Sequence, residues 1–197
     1  ILRCLVGSEM CIRDRLIRYS NSEPLVIGTY RQAFATLAFL PFIFKDRGAE
    51  ISSQSNSTLL EMALTGILLG AHFSFFITSV KETSVAASVL LATCHVVYVA
   101  ILGKIFFGET LSKKAIIGTT IALGGILVLF GGDLIDNPGN FKGNFYAFVA
   151  GVLAGLYYLS GRKLRRTISL PTYAFVVYFF SFISVSYTHL RAHETSE

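Results

Sequence analysis

Apolar residues gather into six long runs, at 25–44, 59–80, 85–107, 115–130, 144–160 and 170–183, with polar punctuation between them. Lys45, Asp46 and Arg47 close the first, and a Ser- and Asn-rich stretch over 48–57 leads to the second. Lys81 and Glu82 turn the chain tightly into the third, and the GETLSKK segment at 108–114 leads to the fourth. A polar connection over 131–143, with Asp133, Asp136, Asn137 and Pro138, precedes the fifth, and GRKLRR at 161–166 precedes the sixth. A bilayer core takes about 20 apolar residues per helix, so these runs have the length scale of membrane spans. Backbone groups in lipid must bond within the segment, and the alternation of a barrel strand is missing, so the runs predict helices. The fold class is therefore an all-α polytopic transmembrane helix bundle. Small residues at helical spacing, such as Ala147, Gly151 and Gly155, suit close helix packing where lipid supplies no hydrophobic drive.

Composition agrees, with 53% hydrophobic and 15% charged residues, against about a quarter charged in soluble domains. The net charge of +5 does not point to nucleic acid, because Lys and Arg sit in clusters between apolar runs rather than on one basic face. Alternate connections carry Lys45 and Arg47, then Lys104, Lys113 and Lys114, then Arg162, Lys163, Arg165 and Arg166. The opposite set holds only Arg18, Lys81 and Lys142, so the first set is expected on the cytoplasmic side and the 25–44 run crosses from outside to inside.

The termini carry a different signal. Codons can be chosen so that residues 2–15 read on the opposite strand as 184–197: Asp14 faces Val185, Arg13 faces Ser186, Ile12 faces Tyr187, and so on through the stretch. LVGSEMCIRDR and VSYTHLRAHET resemble translated sequencing-adapter sequence. Residues 1–15 and 184–197 are accordingly read as adapter-derived, and the native piece as a fragment running from Leu16 to Ile183. That reading sets aside Cys4, Cys11, His189 and His193. Cys94, His72 and His95 remain, too few for a disulfide or metal framework.

The run GILLGAHFSFFITSVKETSVAASVLLATCHVVYVAILGKIFFGETLSKKAIIGTTIALGGILVLFGG resembles the middle of an EamA domain of the drug/metabolite transporter superfamily. GNFYAFVAGVLAGLYYLSGRKLRR resembles the opening helix of that family's second repeat, and YRQAFA at 30–35 the arginine segment of its second helix. The resemblance implies ten helices in two five-helix repeats, the second inverted in the membrane. On that scheme 16–132 is a first repeat lacking most of its first helix, and 143–183 is the truncated start of a second. His95 stands where the family often has proline, which leaves open whether that helix kinks.

The resemblance further implies a secondary transporter in the bacterial inner membrane. Its solute would be a small organic, amino-acid-like metabolite, with efflux the expected direction. No cofactor is expected; the lipid bilayer, the solute and a second copy of the chain are the partners. The alternative is a non-transporting helical membrane scaffold whose polar groups only tie helices together. Enzyme chemistry is not expected, since HExxH, GxSxG, a phosphate-binding loop and paired intramembrane aspartates are all missing.

Arg31 lies six residues inside its run, about 9 Å at 1.5 Å per residue. A charge at mid-bilayer costs at least about 2.5–3.5 kcal/mol, so Arg31 must snorkel, pair between helices or face a polar interior. Ser84, Ser88, Leu91, His95 and Tyr98 recur at helical spacing on one face. Thr65, His72, Phe76 and Ser79 do so on the preceding helix, as do Tyr146, Leu153 and Tyr157 on the fifth run. Such stripes either line a cavity or bond across helices. The pathway candidates are Arg31, His72, Phe76, Ser88, His95, Tyr98 and Tyr157. Glu109 with Lys113 is read as a structural pair in a cytoplasmic turn.

Overall fold

A computed structural model describes residues 24–46, 48–108, 110–136 and 138–194. Among them every regular element is helical: α1 (Pro24–Asp46), α2 (Gly48–Ser52), α3 (Asn56–Glu82), α4 (Val85–Thr93), α5 (His95–Phe107), α6 (Lys113–Asp136), α7 (Phe141–Leu164) and α8 (Leu170–Glu194). A 3-10 turn at Pro138–Asn140 joins α6 to α7. The Ser55 hydroxyl caps α3 by accepting the Thr58 N–H at 3.2 Å, and Ser84 caps α4 through the Ala87 N–H at 3.1 Å. Gly108 ends α5 with a φ of 64°, a left-handed conformation that glycine adopts without penalty.

Four segments among the described residues are long and apolar enough to cross a membrane: 26–44, 56–82, 85–107 and 170–187. Phe34, Val96, Ile105, Leu127 and Val128 point outward and are exposed on the bundle surface, which would be unfavourable in water and suits hydrocarbon. The chain is a multi-pass membrane protein of the all-helical class expected from its sequence.

Several boundaries differ from expectation. The 85–107 run is not one continuous helix but breaks at Cys94, whose φ of −65° and ψ of 4° separate α4 from α5. No proline is involved. Beside the break the Thr93 hydroxyl donates to the Leu90 carbonyl at 3.1 Å, which also keeps the Cys94 N–H at 3.1 Å, and the His95 ring donates to the Ala92 carbonyl at 3.2 Å, side-chain bonds of the kind that accompany bent helices. The 131–143 connection is shorter than expected because α6 continues to Asp136 before the turn at Pro138, a residue that cannot donate to a helix ladder. The polar 48–57 stretch contains α2, and α7 and α8 run beyond 160 and 183.

α3 is the centre of the bundle, packed between α7 and α8, with α1 against both α8 and α3. α4 and α5 lie on α7, and α6 sits at the edge. Backbones of α3 and α8 nearly touch at Gly66, where a Cβ would stand 2.6 Å from the Val177 carbonyl oxygen and 2.8 Å from Phe180 Cβ. Two sets of polar ties mark the two ends. At one end the Glu50 carboxylate accepts the Ser169 N–H at 2.9 Å and the hydroxyls of Ser169 and Thr172, while Lys163 donates to both Glu61 oxygens at 2.9 Å. At the other, Thr83 donates to Asn144 Oδ1 at 2.8 Å, and Lys142 lies 3.9 Å from Glu82. The 48–57 and 161–169 connections therefore share an end, opposite the 83–84 turn, as the basic-residue pattern requires.

Candidate functional site

Between these ends the helices enclose a cavity of about 260 Å³. That is just below the range of about 300–1,000 Å³ usual for ligand pockets. α1 supplies Arg31, α3 supplies His72, Phe73 and Phe76, and the α4–α5 break supplies Thr93 and His95. Tyr157 and Tyr158 of α7 and Tyr178 of α8 complete the polar and aromatic part of the wall.

The Arg31 guanidinium stacks over the Phe73 ring at 4.0 Å, a cation–π contact that orients the charge inward instead of toward lipid. His72 reaches across to α7, where Nδ1 lies 2.8 Å from the Ala150 carbonyl oxygen. A carbonyl only accepts, so Nδ1 carries the proton, and the same logic places the proton on Nδ1 of His95 opposite Ala92. In the neutral form of either ring Nε2 would be the acceptor nitrogen. The His72 ring lies parallel to Phe76 with centroids 6.1 Å apart, and the His95 ring stacks on Tyr158 at 4.7 Å. His95, the first residue after the break at Cys94, thus faces Tyr158 on α7.

Of the seven sequence candidates, Arg31, His72, Phe76, His95 and Tyr157 meet in this cavity, and Ser88 and Tyr98 lie elsewhere. Ser88 is fully buried on α4, outside the lining of this cavity. Tyr98 is 6% exposed, with its ring edge against Phe148 at 5.5 Å and against the small-residue face at Gly151. The break re-aims Ser88 on α4 relative to His95 on α5, whereas Tyr98, which shares α5 with His95, is held away from the cavity by its packing over Gly151. Thr65 bonds Ser160 and the Glu61 carbonyl, and Ser79 bonds the Phe76 carbonyl, so these members of the α3 stripe tie helices or their own backbone. Phe73, Tyr158 and Tyr178 were not singled out by the sequence reading. Glu109 and residues 1–23 lie outside the described residues, as do the side chains of His189 and His193.

The EamA-like transporter family matches residues 14–131. An uncharacterized transporter of Archaeoglobus fulgidus is 28% identical over 160 residues, which cover 81% of this chain and 56% of that protein. An uncharacterized transporter of Helicobacter pylori is 24% identical over 141 residues, 70% of this chain and 45% of its own. The chain spans about half the length of these curated relatives. No solved structure matches. With more than half of its residues covered by the match, and with the bundle and spans described above, this chain belongs to the EamA-like transporter family.

Proposed function

We propose that this chain is part of a secondary carrier that moves a small organic, amino-acid-like solute across the bacterial inner membrane by alternating access, in the efflux direction. One observation carries the reading: a guanidinium, two imidazoles and three tyrosines from five helices surround one cavity inside a bundle with an apolar exterior. Polar and charged groups at membrane depth are expensive unless they meet each other, water or a solute. The native carrier segment is proposed to comprise 16–132 and 143–183 as parts of successive repeats, with 1–15 and 184–197 derived from adapter DNA.

The scaffold reading has its own support, because His72 bonds the Ala150 carbonyl and Thr65 bonds Ser160 across α3 and α7. Transport assays on the uninterrupted gene separate the two. Arg31→Ala and His95→Gln abolish flux at normal levels of folded protein if these residues line a pathway, with Arg31→Lys retaining part of it. Flux that falls only in proportion to folded protein would favour the scaffold.

A further inference from the structure

On the outer surface of the bundle, α3, α5 and α7 form a groove of about 420 Å³ that shares no wall residue with the chamber around His95. Its wall changes character along the helices. Glu61 and Lys163 make the rim, where the Lys163 ammonium donates to both carboxylate oxygens at 2.9 Å. One turn inward the Thr65 hydroxyl donates to the Glu61 carbonyl at 2.7 Å and accepts from Ser160, so these hydroxyls are satisfied within the protein. Deeper still, Leu68 and Leu156 stand seven residues from Glu61 and Lys163 respectively, about 10 Å at 1.5 Å per residue, and there the wall is apolar. Leu64, Phe106 and Phe107 flank the groove and are 52%, 65% and 50% exposed, so it opens outward to the surface that faces hydrocarbon.

We infer that this groove holds one zwitterionic phospholipid with a primary ammonium headgroup, as in phosphatidylethanolamine, its acyl chain along Leu64, Leu68 and Leu156 and its headgroup on the Glu61–Lys163 pair. Neither side chain has to give up its partner. An ammonium has three N–H donors, of which Lys163 spends two on Glu61, leaving one for the lipid phosphate. A carboxylate has about four lone-pair sites, of which Lys163 takes two, leaving the others for the headgroup N–H groups. Both side chains are reachable, at 59% and 43% exposed. Phosphate beside Lys163 and ammonium beside Glu61 alternate in sign around the rim. A wholly anionic headgroup would set its charge next to Glu61 without the compensating ammonium, and a quaternary headgroup brings no N–H donor. The order of the wall, charged, then hydroxyl-bearing, then apolar, is the order met on entering a bilayer leaflet. The inference needs the bundle to stand in a membrane and is independent of the solute of the inner chamber.

The chain contains no tryptophan, so a single introduced one reports on its own surroundings. The test places the full 197-residue chain in phosphatidylcholine vesicles with Leu64→Trp at the groove or Val128→Trp on the apolar surface outside it. Phosphatidylethanolamine, phosphatidylcholine and phosphatidylglycerol carrying the same brominated acyl chains are the quenchers, at equal mole fraction. At Leu64→Trp the ethanolamine lipid should compete for the site about two- to fivefold better than the choline lipid, the strength of partly exposed charged contacts, and at Val128→Trp the two should be equal. Adding Glu61→Gln or Lys163→Met should bring the ratio at Leu64→Trp close to one, with circular dichroism showing the helices retained, while Lys163→Arg should keep the preference. A ratio of one at Leu64→Trp, the same preference at Val128→Trp, or a preference that survives Glu61→Gln overturns the inference. So does stronger quenching by phosphatidylglycerol, which would mean a basic patch reading anionic lipid. A Leu64→Trp shielded from all three lipids also overturns it, since another helix or a second copy of the chain would then cover the groove.

Discussion

Tyr98 lies directly across Gly151: a Cβ at 151 would stand 2.7 Å from the tyrosine ring and 2.8 Å from the Leu91 carbonyl oxygen. This contact joins α5 and α4 to α7, and it explains why a polar aromatic residue placed on the same stripe as His95 is packed away from the cavity. Gly151→Ala must push the helices apart or move the ring. Overpacking of this kind costs typically about 1–3 kcal/mol, so the variant should unfold at lower temperature in detergent. Tyr98→Leu should recover part of the loss, and Gly151→Ala with unchanged thermal stability would refute the contact.

Glu50 gathers an N–H and two hydroxyls at the start of α8, far from it in sequence. A carboxylate at a helix N-terminus also meets the favourable end of the helix dipole. Glu50→Ala is expected to destabilise by about 1–3 kcal/mol, the range for charged hydrogen bonds, and Glu50→Gln by less. Hydrogen exchange at the amides of Tyr173 and Ala174 should quicken in Glu50→Ala while the amides of α3 stay protected.

Lys163 and Glu61 form a geometrically good pair, yet their side chains are 59% and 43% exposed. Exposed pairs contribute about 0–1 kcal/mol. A double-mutant cycle with Lys163→Met and Glu61→Gln should therefore give a coupling below about 1 kcal/mol, and a larger value would mean that this end of the bundle is less wet than its exposure indicates.

Asn144 is fully buried and accepts the Thr83 hydroxyl at the opposite end of α3. Thr83→Val removes that donor while keeping the shape. Interhelical hydrogen bonds inside membranes average about 0.6 kcal/mol and reach about 1.7, so a small loss of thermal stability is expected, with the cavity unaffected. Transport by the complete gene should persist in Thr83→Val, in contrast to Arg31→Ala.

The helices were legible because lipid imposes a simple code: run length, backbone self-bonding and charge clusters at the ends. The Arg31, His72 and His95 positions were legible because a charge or imidazole at membrane depth must face inward. What the pattern hid was local. Nothing in VLLATCHVV announces the break at Cys94, which parts Ser88 from His95, and nothing in it announces that Tyr98, on the same helix as His95, packs over Gly151 instead. Tyr158 and Tyr178 were hidden because aromatic residues in a nearly all-apolar helix give no facial signal until the neighbours are known. Contacts between distant short segments, such as Glu50 of α2 with Ser169 just before α8, cannot be read from periodicity. The helical course of α8 past residue 183, with Val185 packed near Gly28 and Gly70, adds a further point. Amplifying the locus from intact genomic DNA should give a different sequence beyond Ile183 and before Leu16, and recovery of both present ends would remove the adapter assignment.

The central claim is that water and solute reach the chamber between Arg31, His72 and His95. Single cysteines at Thr93 and Ala154, on the cavity wall, and at Val128, on the outer apolar surface, test it most directly in a chain whose own cysteines are replaced by serine. In membrane vesicles a small charged thiol reagent should label Thr93→Cys and Ala154→Cys readily and leave Val128→Cys almost untouched. Labelling confined to Val128→Cys, or none at either wall position, would contradict the account.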